Sequence, residues 1–281
     1  MLGASLMFAF MGLFVKLLAD EMSSLEMVFF RNLFGVALIA SSFIGKPHKH
    51  SGGRPWLLFF RGFIGFLALL LFFYNITVMS LADAMTFSKT SPIFTAIFAF
   101  IFLKEELHKR AWGAVFLGFV GMVLVINPDG LVLDKYAVTG LLSGIGAALA
   151  YTSIRELKEY YEPRMIVLSF VLTGTIGPVI LMLIAQWYRP VALDFMLAEF
   201  VMPNGLAWVW IVGMGVSATI SQLLMTKSYA LVQAGIAGAV SYTNIIFAVL
   251  VGLLIGEGLP SLITTLGMVL IVVAGILVTK K

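Results

Sequence analysis

Apolar residues fill this chain in blocks about twenty residues long, separated by short polar breaks. The blocks fall at 2–19, 24–44, 56–79, 82–103, 110–127, 137–157, 165–187, 206–228, 232–255 and 260–279. A helix needs about 20 apolar residues to cross the hydrocarbon core of a bilayer. Each block therefore predicts a transmembrane helix. Ser80-Leu81 and Leu231 leave almost no loop, so the helices they join are antiparallel neighbours. The longest break, roughly 188–205, holds Pro190, Asp194, Glu199 and Pro203. Asn127-Pro128-Asp129-Gly130 is a turn signal that begins a linker between two sets of five. Five is odd, so the second set enters the membrane from the opposite side. The pattern predicts an all-α polytopic membrane protein of ten transmembrane helices. It is read as two inverted five-helix repeats, residues 1–130 and 131–281, forming one transport domain with a mid-membrane site.

Composition agrees with the pattern. Of 281 residues, 61% are hydrophobic and 11% charged, too few charges to cover a soluble domain of this length. Mean hydropathy is +1.05. The chain has no cysteine, which excludes disulfides and thiolate metal sites. The N-terminus turns apolar without a basic leader or a small-residue cleavage site, and reads as a retained first helix. The net charge of +4 is read as a signal of orientation, not of nucleic-acid affinity. With the N-terminus inside, cytoplasmic segments carry Lys46, Lys49, Arg54, Lys104, Lys109, Arg110, Arg155, Lys158, Arg164, Lys280 and Lys281. The opposite loops carry only Lys135 and Arg189. That asymmetry follows the positive-inside rule and puts both termini in the cytoplasm, as an even span count requires.

The halves align internally. Placing Tyr74-to-Glu105 over Thr226-to-Glu257 matches Ala82 with Ala234, Ile93 with Ile245, Ala96 with Ala248 and Glu105 with Glu257. Each glutamate is followed by a glycine pair eight residues apart, Gly113 and Gly121 or Gly267 and Gly275. Shared membrane composition produces chance matches, but it does not predict that order. The stretches Leu81-Ala82-Asp83-Ala84, Thr90-Ser91-Pro92-Ile93-Phe94-Thr95-Ala96 and Phe102-Leu103-Lys104-Glu105 resemble the first-half signature of the EamA-type transporters. These belong to the drug/metabolite transporter superfamily. Gly256-Glu257 with Gly267 and Gly275 is similar to the second-half signature, and Phe30-Arg31-Asn32 also resembles the family. Asn244 departs from it, standing where a proline is often found. The resemblance covers essentially the whole chain. It implies a ten-helix carrier whose cavity is lined mainly by helices 1, 3, 4, 6, 8 and 9. Helices 5 and 10 would lie apart from the cavity as candidates for a dimer contact.

Ionisable side chains at membrane depth are costly and face protein or water. Five cations lie within the spans, Lys16, Arg31, Arg61, Lys89 and Lys227, against one carboxylate, Glu26; Asp83 sits at a boundary. Lys16 and Lys227, near span ends, read first as snorkelling to the headgroups. Arg61 divides evenly between snorkelling and a site role. Glu26 and Arg31, five apart, read first as structural, with Arg31 kept as a site candidate because a buried cation needs an anion or water. Lys89 reads as functional. It lies beside Ser88, Thr90 and Ser91 and three residues before Pro92. That proline frees the carbonyl of residue 88 and suggests a hinge. A positive interior disfavours a cationic substrate and favours a carboxylate or phosphate.

Uncharged polar residues recur in corresponding helices: Tyr74, Asn75 and Thr77 with Gln222, Thr226 and Tyr229; Ser88 to Ser91 with Ser241, Tyr242, Thr243 and Asn244; and Tyr151, Thr152 and Ser153 in the sixth span. Helix–helix hydrogen bonds explain such groups about as well as a shared central site. Most of the 24 phenylalanines read as lipid contacts or packing, and Gly140 with Gly144 as a close-packing motif. His48, His50 and His108 lie in loops among basic residues. No phosphate-binding loop, metal-ligand cluster, cofactor motif or nucleophile–base pair is visible, which argues against a pump driven by nucleotide hydrolysis and against an enzyme.

The sequence thus predicts a secondary active transporter of small organic metabolites in the cytoplasmic (inner) membrane, working by alternating access. Anionic or zwitterionic cargo fits, and the resemblance admits amino acids, organic acids and nucleoside-like derivatives. Expected substrate contacts are Lys89, Arg61, Tyr74, Asn75, Tyr151, Gln222, Tyr242, Asn244 and Arg31, with Pro92 as hinge. No cofactor, metal or nucleic acid is expected. The partners are the substrate, membrane lipid and a proton or exchanged metabolite, with the protein a monomer or homodimer. The rival readings are a passive channel or facilitator and a non-transporting membrane scaffold.

Overall fold

A computed structural model describes residues 1–44, 52–103, 109–126, 134–232, 237 and 240–279. Lys46, Lys49, His48, His50, Lys104, Glu105, His108, Lys280, Lys281 and the turn at 127–130 lie outside the described residues. The described chain is helical with no strand: α1 (Leu2–Leu18), α2 (Ser24–Ser41), α3 (Pro55–Val78), α4 (Leu81–Ser88), α5 (Ser91–Leu103), α6 (Lys109–Ile126), α7 (Lys135–Leu157), α8 (Pro163–Ala185), α9 (Ala207–Leu231), α10 (Thr243–Leu254) and α11 (Leu262–Thr279). A single 3-10 turn, Val191–Leu193, interrupts the loop between α8 and α9. Six helical stretches are long and apolar enough to cross a membrane, with α4 and α5 counted as one stretch, Leu81–Phe102. Four shorter apolar helical stretches, of 10–17 residues, accompany them. This is a polytopic membrane protein. Its backbone polar groups are spent within helices, as lipid demands.

The helices follow the predicted blocks closely except in the ninth, where α10 covers only Thr243–Leu254 of 232–255, and in the fourth. There the run breaks after Ser88 and restarts at Ser91, one residue before Pro92. Pro92 has no N–H to give to the carbonyl of Ser88, so the ladder cannot continue through it. Local bonds cover the gap: the Thr90 hydroxyl donates to Phe87 O at 2.7 Å, and Phe94 N reaches Thr90 O at 3.2 Å. On α7, Gly140 and Gly144 admit this break. A Cβ on Gly144 would stand 2.1 Å from Thr90 Oγ1, and one on Gly140 2.6 Å from the Phe87 ring.

Call the end of the bundle that holds Met1 and Arg54 the near end, and that holding Asp194 and Glu257 the far end. The most extensive helix contacts are α6 with α11, α3 with α7, α1 with α9 and α2 with α8. Lesser contacts join α3 to α8, α2 to α9, α5 to α7 and α1 to α10. In the α6–α11 pair a Cβ on Gly121 would meet Gly267 O at 2.8 Å, so the two backbones nearly touch. The main core cluster is built on α1, α2, α3 and the helices against them. A second, around Ile154, Tyr161, Ile166 and Tyr229, occupies the near end.

Two charges expected to snorkel or pair elsewhere are instead used to join elements. Lys16 does not reach for headgroups. Its Nζ donates to Met79 O at 2.7 Å and Ile76 O at 3.2 Å, the open carbonyls at the end of α3, and lies 3.5 Å from Glu257. Glu26 forms a capping box with Ser23 and also accepts from Val201 N at 2.5 Å, which ties the α8–α9 loop to the start of α2. Glu26 is thus structural and has no ion pair with Arg31. Lys227 is exposed in the last turns of α9.

Gly144→Ala should lower the melting temperature in detergent by the equivalent of about 1–3 kcal/mol, the usual cost of overpacking. Gly113→Ala, where a Cβ meets nothing within 4 Å, should leave it unchanged. Equal melting temperatures for the two variants would contradict the close seat of α7 on the break.

Candidate functional site

The site begins on α3. Arg61 lies in its second turn, and a glycine, Gly65, follows one turn later on the same face. A Cβ at Gly65 would stand 2.6 Å from Arg61 Nη1 and 3.0 Å from the Phe170 ring. Glycine here is space for a guanidinium to lie flat against α8. Arg61 consequently does not snorkel; it is 1% exposed, with its guanidinium carbon 4.9 Å from the Phe170 ring centre.

Arg31 reaches the same ring from α2. It is 2% exposed and also 4.9 Å from the Phe170 centre. Asn32 fixes its direction. The Asn32 amide donates to Val28 O at 2.7 Å, which leaves Asn32 Oδ1 to accept from Arg31 Nη1 at 2.6 Å. A Cβ on Gly174 would meet Asn32 Nδ2 at 2.4 Å, so that glycine lets α8 approach α2 closely enough for Phe170 to serve both arginines. Arg31 Nε, Arg61 Nε and Arg61 Nη1 are buried and have no hydrogen-bond partner. Among the described residues no carboxylate pairs with either guanidinium. A phenyl face attracts a cation, but more weakly than a counter-ion.

Both arginines line a central cavity with about 40 Å³ of free space. Phe8 comes from α1, Leu69 and Phe72 from α3, Ser88 from α4, Ser143 and Tyr151 from α7, Phe170 from α8 and Gln222 from α9. Phe8 stacks on Phe72 with ring centres 5.3 Å apart, giving an apolar wall beside the polar floor. Helices 2 and 7 of the ten-span count therefore line the cavity too, through Arg31 and Phe170, although the family resemblance had left them outside.

Contacts between helices lie on both sides of the cavity. On the near side Tyr151 stacks on Tyr229 at 5.0 Å and 15°, backed by the cluster around Ile154, Leu157 and Ile166. Arg54 pairs there with Glu156, and Arg164 donates to Ser42 O at 2.6 Å. On the far side the contacts centre on Glu257. Gly256, with φ +84°, ends α10 in a left-handed turn: Glu257 N donates to Gly252 O at 2.9 Å and Gly256 N to Leu253 O at 3.2 Å. That reversal carries the Glu257 carboxylate back to the start of α4, where both oxygens accept from Leu81 N at 3.0 and 3.1 Å. Negative charge at a helix N-terminus is favourable. With Lys16 on the end of α3, the pair knits α1, α3, α4 and the turn after α10. A second knot lies nearby, where Lys135 pairs with Asp194 and packs over Tyr74 and Phe195.

Of the predicted contacts, the structure gathers Arg31, Arg61, Tyr151 and Gln222 at the cavity. The others lie elsewhere. Lys89 caps α4, and its Nζ sits 5.3 Å from the Phe8 ring centre, behind the wall that Phe8 presents. Tyr74 is at the far end, 3.4 Å from Asp194. Asn75 Oδ1 accepts from Thr139 at 2.7 Å and clamps α3 to α7. Asn244 donates to Ser5 O at 2.9 Å and joins α10 to α1. Tyr242 is buried against Ala82, Ile245 and Met268, its hydroxyl unpartnered. Pro92 stands at the break in span four, outside the lining. Phe170, Phe8 and Ser143 were not singled out from the sequence, and nothing in their spacing marks them. Gly65 had a usable signal, a glycine one turn from a buried arginine. No cluster of metal-ligating side chains occurs among the described residues.

Comparison with known proteins bears on the family and the fold. One family model, the EamA-like transporter family, matches the chain twice, over residues 1–127 and 134–280. An uncharacterized transporter of Helicobacter pylori (strain J99) is 35% identical over 282 residues, covering 98% of this chain and 91% of that protein. The pseudopaline exporter CntI of Pseudomonas aeruginosa (strain UCBPP-PA14) is 30% identical over 279 residues, covering 99% and 93%. One crystal structure superposes with a TM-score of 0.68 at 15% identity, covering 99% of this chain and 95% of that one, and shares the fold. With one family model accounting for both halves and similarity to named transporters running nearly end to end, the chain belongs to the EamA-like transporter family of the drug/metabolite transporter superfamily.

Proposed function

We propose that the protein is a secondary active transporter that moves a small anionic or zwitterionic metabolite across the cytoplasmic membrane by alternating access. The observation that carries this reading is the pair of buried arginines, unmatched by any described acid, around one small central cavity. Such charge is costly in a membrane protein unless a ligand answers it. The cavity's 40 Å³ is far below the roughly 300–1,000 Å³ of an ordinary small-molecule pocket, so the helices around it must move apart to admit cargo.

The ten-span, inverted-repeat scaffold is part of the proposal, with repeats at 1–130 and 131–281. Its support is a symmetry in the helix contacts. Exchanging the halves turns the pair α3–α7 into α9–α1, α5–α7 into α10–α1, and α3–α8 into α9–α2, while α2–α8 and α6–α11 map onto themselves. The double match of one family model points the same way. The described loop cations at the near end, Arg54, Arg155, Lys158 and Arg164, support placing that end, with both termini, in the cytoplasm. The far-end latch of Lys16, Glu257 and Leu81 then faces outward, and the Tyr151–Tyr229 stack faces inward. Rocking one half against the other opens them in turn. Among the described residues the cavity lining holds no carboxylate to carry a proton. That favours an exchanged metabolite as the driving partner, and the protein acts as a monomer or homodimer.

A thermal-shift screen of the purified protein against metabolites, followed by counterflow in proteoliposomes with the best hit, tests the carrier reading. Arg61→Gln should cut counterflow by about tenfold or more, the worth of a charged hydrogen bond. Gly65→Ala, which pushes the same guanidinium aside, should reduce it by a smaller factor at an unchanged melting temperature. Undiminished saturable counterflow by Arg61→Gln would overturn the site.

The absence of cysteine makes a second test direct. In cells expressing Ser88→Cys, Glu257→Gln should raise labelling of the cavity cysteine by a membrane-impermeant maleimide added outside. Labelling equal to that of Ser88→Cys alone would remove Glu257 from the outer closure.

A further inference from the structure

Resting on the carrier reading, the geometry points to the charge of the cargo: we infer that it presents two negative charges, one to Arg31 and one to Arg61, as a dicarboxylate or a phosphate monoester does. The two guanidinium carbons lie at the same 4.9 Å from one phenyl ring. Both side chains are buried, and three of their N–H groups have no acceptor. The acceptor that Arg31 does find is neutral, the Asn32 amide oxygen. The cavity therefore holds two like charges and, among the described residues, no answering one.

Neutrality then discriminates among cargo classes. A zwitterion can set its carboxylate on one guanidinium, but it brings no net charge and leaves the double positive charge of the site uncompensated. Its ammonium would also enter a space where a third cation, Lys89, stands behind Phe8 and where no described carboxylate lines the wall. A monoanion answers one arginine and leaves the other. A dianion answers both and supplies acceptors for the three free donors. The Phe8–Phe72 stack gives its carbon body an apolar surface. Charge-assisted hydrogen bonds from arginine to carboxylate or phosphate are the strong ones, so the second bond separates the classes sharply.

The test compares compounds of one shape and different charge. Purified protein is melted, and proteoliposomes assayed for counterflow, with three- to six-carbon dicarboxylates and glycerol 3-phosphate. Their half-amides or methyl esters serve as monoanions and neutral amino acids as zwitterions. At least one dianion should stabilise the protein and drive counterflow. Its monoanionic counterpart should bind about tenfold or more weakly, one charged hydrogen bond's worth. Arg31→Gln should remove that preference by weakening the dianion alone. Arg31→Lys, which keeps the charge, should retain much of it and so separates loss of charge from misfolding. Half-amides or amino acids binding as well as every dianion would overturn the charge assignment and leave the carrier reading intact. Absence of binding and counterflow with every dianion would also overturn this inference, while the carrier reading fails only if the wider metabolite screen yields no counterflow.

Discussion

The organising constraint in this molecule is positive charge held in a membrane-embedded core where, among the described residues, no acid balances it. Arg31 and Arg61 come from different helices, and neither snorkels. To hold them together the fold spends three small concessions: a glycine beside Arg61, a glycine on α8 that lets α2 approach, and a phenylalanine whose face both guanidiniums share. They are intelligible as means of keeping two repelling groups at one place. The helix pairs around them, α2 with α8 and α3 with α7, are among the closest in the bundle.

Other intramembrane charges do structural work, and the contrast is instructive. Glu26 has both carboxylate oxygens occupied by the start of α2 and by Val201. Lys16 and Glu257 answer the exposed ends of α3 and α4, where backbone groups lack helical partners. Each satisfies groups the fold itself leaves open. The two arginines satisfy almost nothing, and this separates a site from a joint more reliably than burial or polarity does.

Much of the architecture is legible in the chain because lipid makes a strict demand: apolar blocks long enough to span can scarcely be anything but helices. The proline at 92 similarly announces the break that follows Ser88. Side-chain direction is less legible. Lys16 and Arg61 both lie near span ends, and snorkelling is a fair default for each. What decides against it is the neighbouring helix: open carbonyls at Ile76 and Met79 for Lys16, and the Phe170 face for Arg61. Asn75 and Asn244 show the same ambiguity from the polar side. A buried amide that clamps two helices and one that contacts cargo have identical sequence signatures, and only the partners at Thr139 and Ser5 distinguish them. Phe170 could not have been chosen among so many phenylalanines, because its role arises from the crossing of three helices.

On the proposed mechanism, the arginine pair lies between two alternating closures, and this has an electrical consequence. Across an energised membrane the potential falls mainly over whichever closure is shut, because the open side is in contact with bulk solution. As access alternates on the proposed mechanism, fixed charges in the cavity pass from one side of that drop to the other without moving far themselves. A full elementary charge crossing 100 mV is worth about 2.3 kcal/mol. An unloaded molecule with two uncompensated cations would therefore act as a voltage sensor, driven to expose its cavity towards the negative compartment. A molecule whose cargo cancels those charges would be indifferent to voltage. The cell's resting potential would then set which way the empty protein waits.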